Sequence, residues 1–128
     1  MELIVRDPVE NIYPTDSDWV HAMEVRGARR LLFVSGTMGL DPAGIPGSTL
    51  EDQLELVWNN IRTILASAQM TTGNIVRVTS YLREAAYAEA NARARCRALG
   101  ERRVPTTAIV AQTLESTWLV EIEVIAAS

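Results

Sequence analysis

The chain has 128 residues, 48% of them hydrophobic, a net charge of −4, a pI near 5.0 and a mean hydropathy of +0.05. These values fit one globular domain over residues 1–128 that buries a core without staples, and they run against a nucleic-acid partner, whose binding surface is normally basic. All twelve basic residues are arginine, which excludes a lysine Schiff base. No apolar run approaches the ~18 residues of a membrane span, Met1–Asp7 lacks the layout of a signal peptide, and the lone Cys96 points to a reducing cytoplasm.

Leu3–Val5 is a short strand candidate, and the turn-rich stretch 7–18 reads as a loop. Val20–Arg26 and Arg30–Ser35 are β-like runs around Gly27-Ala28-Arg29, which predicts a hairpin. Ser35-Gly36-Thr37 then ends a strand, and Gly39–Gly47 is a glycine- and proline-rich loop. Ser48-Thr49-Leu50-Glu51 has the spacing of a capping box with Ser48 as cap. Leu50, Leu54, Val57, Ile61, Ile64, Leu65 and Ala68 follow on one helical stripe. Thr72-Gly73-Asn74 stops that helix. Ile75–Leu82 alternates as a strand, Ala85–Leu99 is helical with Gly100 placed to end it, Pro105 opens another strand, and Thr117–Ala126 is the last. This order predicts an α+β fold: a mixed sheet with both helices on one face. The uncovered face is expected to meet another subunit.

On the last strand, Glu121 and Glu123 point one way while Val120, Ile122 and Val124 point the other. They either lie on a solvated sheet face or bring a carboxylate into a sheltered cleft, where it can position or deprotonate water. Ser35-Gly36 is either a plain turn or a place where a ligand approaches bare backbone; the glycine-lysine signature of a phosphate loop is missing. Asn91 lies mid-helix among alanines, a poor position for asparagine unless its side chain has a partner. His21 has no nearby Cys or His, so no metal site is expected, and Cys96 reads as a packed thiol. Arg93, Arg95, Arg97, Arg102 and Arg103 read as a solvated helix face pairing with acids, with RNA contact as the minority alternative.

Several stretches, in order, resemble the Rid (YjgF) reactive-intermediate deaminase family from about Trp19 onward. They are Val34-Ser35-Gly36-Thr37-Met38-Gly39-Leu40-Asp41, Asn59-Asn60-Ile61, Ile75-Val76-Arg77-Val78-Thr79, Asn91, Pro105 and Val120–Ala126. The resemblance implies a chorismate-mutase-like fold, a homotrimer with ligand clefts between subunits, and hydrolysis of enamines or imines to a keto acid and ammonia without a cofactor. It assigns Glu121 to holding the attacking water, and Ser35, Gly36 and Asn91 to polar contacts. Trp19 stands where the family often has a tyrosine.

Two positions depart from the family. Thr107 replaces the arginine that clamps the substrate carboxylate, and Ile109 replaces the site cysteine. Threonine makes no guanidinium fork, and a hydrogen bond to a charged group contributes roughly 1.5–3 kcal/mol, so its loss weakens binding by about one to two orders of magnitude. The chain therefore resembles the arginine-lacking subgroups. The expected function is a Rid-like small-molecule hydrolase with an altered substrate range, Thr107 donating a neutral hydrogen bond. The alternatives are a non-catalytic metabolite-binding trimer and, behind both, an endoribonuclease.

Overall fold

The computed structural model describes Met1–Ser128. Its strands are β1 (Glu2–Arg6), β2 (Ala22–Arg26), β3 (Leu31–Met38), β4 (Ile75–Leu82), β5 (Thr106–Val110) and β6 (Val120–Ala127), and its helices are α1 (Leu50–Ser67) and α2 (Ala88–Leu99). Thr49, not Ser48, caps α1: its hydroxyl accepts from the Asp52 amide at 3.1 Å, while Ser48 donates to the Asp52 carboxylate at 3.0 Å. The acid three residues beyond the cap is thus Asp52, and the pattern is shifted by one residue from the sequence reading. Behind the cap, Leu54, Val57, Ile61 and Leu65 form the expected stripe, and Trp58 and Gln53 join it. Full burial of each aliphatic side chain contributes about 1.5–3 kcal/mol.

The four main strands run in the order β3-β6-β4-β5. β6 lies antiparallel to both neighbours, and β4 and β5 are parallel. A parallel pair needs a long crossover, which α2 supplies between β4 and β5. α1 lies over β3 and β6 and packs against α2. The buried residues of β6 (Val120, Ile122, Val124, Ala126) and of β4 (Val78, Ser80, Leu82) alternate toward the helices. Both helices therefore sit on one face of a mixed sheet, as the pattern of elements predicts. The opposite face exposes Leu31, Phe33 and Ile109.

The expected hairpin of β2 with β3 does not form. β2 pairs instead with β1, from Glu2 opposite Arg26 to Arg6 opposite Ala22, and Arg6 reaches across to Glu24 at 2.6 Å. The chain turns at Gly27, and the amides of Arg29 and Arg30 both bond the Ser128 carbonyl, at 2.8 and 3.0 Å. These bonds deliver β3 to the edge of β6, where Val34 enters the core.

Ser35-Gly36 is not a strand end either. Val34 pairs with Val124 and Thr37 with Ile122, so Ser35 and Gly36 together oppose Glu123 in a β-bulge within β3. α2 begins at Ala88 because Ala85–Tyr87 is a separate 3-10 turn. β6 begins at Val120 rather than Thr117. Ahead of it, the buried Gln53 side chain donates to the Thr117 carbonyl and accepts from the Leu119 amide, both at 2.9 Å, and so takes the place of ladder partners.

Candidate functional site

The open face of the sheet is a grid fixed by strand register. One row holds Phe33, Ile125 and Arg77; the next holds the Ser35-Gly36 bulge, Glu123, Thr79 and Thr107; the third holds Met38, Glu121, Tyr81 and Ile109. Residues directly opposite on neighbouring strands lie within side-chain reach. The register therefore brings five of the sequence-predicted residues (Ser35, Gly36, Thr107, Ile109 and Glu121) to one surface.

Glu121 lies against the bulge. A Cβ placed on Gly36 would collide with Glu121 Oε2 and stand 2.8 Å from its carboxyl carbon. Bare backbone is therefore what lets this carboxylate settle there. The group that approaches Gly36 is the protein's own acid. Glu121 and Glu123, two residues apart, have different surroundings. Glu123 accepts from the Tyr81 hydroxyl at 2.6 Å, whereas no side-chain hydrogen bond of the chain engages Glu121. That hydrogen bond, then burial, then the charges of Glu123 and Glu121 push the Tyr81 phenol above its ordinary range; Arg77 pulls weakly the other way. Tyr81 is thus held as a proton donor. Tyr81, Leu114, Glu121 and Glu123 line a hollow of about 200 Å³. Next to it, Phe33, Arg77, Thr79, Glu123 and Ile125 line another of about 190 Å³.

The other two predicted residues lie on the helix side of β5. Trp19 and Asn91 line a hollow of about 300 Å³ with Asp18, Arg95, Thr106 and Ala108. Asn91 is 1% exposed and its Oδ1 has no partner. Arg95 is also buried and holds Asp18 at 2.8 Å. The loop carrying Trp19 is fixed by Arg103, which donates to the carbonyls of Asp16 and Trp19 at 2.8 and 2.6 Å. Within one chain, edge strand β5 therefore separates Trp19 and Asn91 from Glu121.

The arginine cluster is largely committed to the fold. Arg95 binds Asp18, Arg102 caps the carbonyls of Thr72 and Ile75 at 2.9 Å each, Arg103 holds the loop, and Arg93 pairs with Glu89. Only Arg97 of the five has no such partner. His21 donates its amide to Asp7 and places its ring beside Tyr13 and Trp19, and no group of three His, Cys, Asp or Glu residues is arranged to hold a metal. No helix is long and apolar enough to cross a membrane.

Sequence reasoning missed Arg77 and Tyr81. Their alternation with Thr79 along β4 is visible in the sequence, but which residues they face depends on β6 inserting between β3 and β4. It also passed over Gln53, a polar residue beside an apolar stripe.

The family model described as Endoribonuclease L-PSP matches residues 11–128. Among solved structures, YyfB of the Rid protein family from Yersinia pestis is similar at a TM-score of 0.84 and 26% identity, with 100% of both chains covered. RidA from an Antarctic Psychrobacter gives 0.73 and 22%, over 89% of this chain and 96% of that one. A member of the YjgF/YER057c/UK114 family from Mycobacterium tuberculosis gives 0.69 and 22%, over 86% of each. No curated protein matched in sequence. The shared architecture is the chorismate-mutase-like α+β fold.

Proposed function

The chain belongs to the Rid (Endoribonuclease L-PSP) family, and from that premise we propose that it is a cofactor-independent hydrolase of an imine, an enamine or a related reactive metabolite. The observation that carries this reading is Glu121: a carboxylate without a side-chain partner, seated over the bare backbone of Gly36 on an open sheet face.

In the proposed reaction Glu121 takes a proton from water as the water oxygen bonds to the C=N carbon. That proton passes to nitrogen to give a carbinolamine, the hydroxyl proton follows it to nitrogen through Glu121, the C–N bond breaks, and a carbonyl compound and ammonia leave. An enamine first becomes an imine by gaining a proton at carbon and losing one from nitrogen. Tyr81, fixed on Glu123, offers a hydroxyl beside this acid. Ser35 is the other residue of the bulge, Ile109 replaces a polar wall with an apolar one, and Thr107 supplies a neutral hydroxyl. These replacements support a substrate range different from that of arginine-bearing relatives.

The proposed working unit is a homotrimer. The exposed Leu31, Phe33 and Ile109 support burial of the open face by other copies, and the hollow of Trp19 and Asn91, on the far side of β5, would then border a neighbour's Glu121. Three chain masses are expected in native mass spectrometry. For activity, ammonia release from freshly generated imines and enamines is the assay. General-base assistance contributes about 10²–10⁴-fold, so Glu121→Gln should lose at least the lower figure. Full activity in that variant would remove the mechanism.

Thr107 favours a second reading, a trimer that binds a metabolite without turning it over. Thermal shifts with keto acids in the absence of ammonia release would select it. A ribonuclease has less support, because three of the five clustered arginines are engaged within the fold; RNA binding that steepens as salt falls would revive it.

A further inference from the structure

The hollow of about 200 Å³ that holds Glu121 has a lining of one sign. Glu121, Glu123 and Tyr81 stand on it, and no arginine does. Arg77 lines the adjoining hollow, where Nη2 donates to Thr107 Oγ1 at 3.1 Å. Glu123 is a wall of both hollows, so a carboxylate lies at the boundary between that cation and Glu121. Beyond β5, the hollow of Trp19 and Asn91 contains Arg95, which Asp18 already neutralises at 2.8 Å. The rest of the Glu121 hollow is walled by the loop between β5 and β6. That loop is fastened: the Ala111 amide donates to the Leu82 carbonyl at 2.9 Å, and the Thr113 hydroxyl to the Trp118 carbonyl at 2.6 Å. Within it, Leu114 lines the hollow and is 91% exposed.

We infer that the substrate of this site carries no carboxylate: it is a neutral imine or enamine whose apolar substituent lies on Leu114. This inference rests on the proposed function and names its substrate class. Three features carry it. An anion entering the hollow meets two carboxylates and no cation on its walls, and like charges brought together out of water repel strongly. An apolar chain laid on Leu114 removes hydrocarbon from water, which favours binding about fourfold per methylene. The C=N nitrogen becomes cationic on protonation, and the same two carboxylates favour that charge. Hydrolysis of such a substrate gives a neutral aldehyde or ketone and ammonia. The class of reaction that supplies it is the oxidation of a simple amine rather than of an amino acid.

The test sets butan-2-imine, formed by enzymatic oxidation of butan-2-amine, against 2-iminobutanoate, formed by enzymatic oxidation of 2-aminobutanoate. The two differ by a methyl in place of the carboxylate. Ammonia release above the uncatalysed rate is measured on the full chain, and NMR titration compares butan-2-one with 2-oxobutanoate. Wild type should use butan-2-imine with a kcat/KM about tenfold or more above 2-iminobutanoate, and the ketones should bind in the same order. Glu123→Gln keeps an acceptor for Tyr81 and removes one charge, so it should narrow the gap. Leu114→Arg places a guanidinium at an exposed position on the wall and should turn the preference toward the oxo acid. Leu114→Ala should flatten the rise in kcat/KM along butan-2-imine, pentan-2-imine and hexan-2-imine. Turnover of 2-iminobutanoate equal to or above that of butan-2-imine overturns the inference and leaves the hydrolase reading standing. Preferential binding of butan-2-one without ammonia from either imine supports the ligand class and refutes the hydrolase reading alone. Absence of both binding and turnover overturns both. An unchanged preference in Leu114→Arg, or loss of the native assembly mass in Leu114→Ala, removes Leu114 from the site and overturns the inference as well.

Discussion

Gly36→Ala separates the candidate chemistry from the fold more sharply than any other single change. The new Cβ would lie 2.8 Å from the Glu121 carboxyl carbon and closer still to Oε2. Something must move, and what it meets is the end of a flexible side chain. Gly36 has a negative φ, so alanine brings no left-handed strain. Replacing glycine in a compatible conformation stabilises by about 0.4–1 kcal/mol through the unfolded state, so the melting temperature should hold or rise slightly. Activity should move the other way. A displacement of about 1 Å in a catalytic group can cost about 10²-fold, and a displacement of that order is what relieves the collision. The assay is ammonia release beside a thermal melt, with Glu121→Ala and the double variant completing a cycle. If Glu121 is the group disturbed, Gly36→Ala should cost almost nothing once Glu121 is gone. Full activity in Gly36→Ala, or losses that multiply in the double variant, would refute the reasoning.

Ile61→Ala removes a fully buried side chain from the centre of the α1 stripe. It should destabilise by about 2–5 kcal/mol, read from urea midpoints at constant slope. Asp18→Ala strands the buried Arg95 guanidinium. A loss of about 1–3 kcal/mol is expected, and a change within error would mean that Arg95 is paired with something else. The Tyr81 phenol, raised by its bond to Glu123, should ionise above 10.0 in an ultraviolet titration, and Glu123→Gln should bring the midpoint down. Because the folded value is the higher one, this contribution to stability is complete below 10.0 and is lost as pH rises through the folded value.

The elements formed by local pattern were legible in the sequence. The α1 stripe, the alternation of β4 and the glycine that ends α2 each follow from spacing within a few residues. Gly100, at φ +66, occupies a conformation that few other residues adopt. What could not be read was pairing over distance. β3 was expected beside β2 because they are adjacent in sequence, yet its partner begins more than eighty residues later. The same gap explains the site. Glu121 was identified as a candidate, and Gly36 with it, but the contact between them depends on a bulge whose two residues are defined only against Glu123. Arg77 and Tyr81 were ordinary strand residues until the order β6-β4-β5 set them beside Glu123 and Thr107.

That order also governs how the molecule assembles. β6 lies between β3 and β4 although it follows both in the chain, and its neighbour Ser128 holds a residue 98 positions earlier. Until β6 docks, two strands have their inner edges bare and α1 has no complete surface to lie on. Most of the entropy of loop closure is spent before the central ladder contributes, so folding should be slow for a chain of this size and close to all-or-none. Strand edges left unpaired before that step invite association between chains. The insertion that builds the grid around Glu121 is therefore also the step at which this protein is most exposed to misassembly.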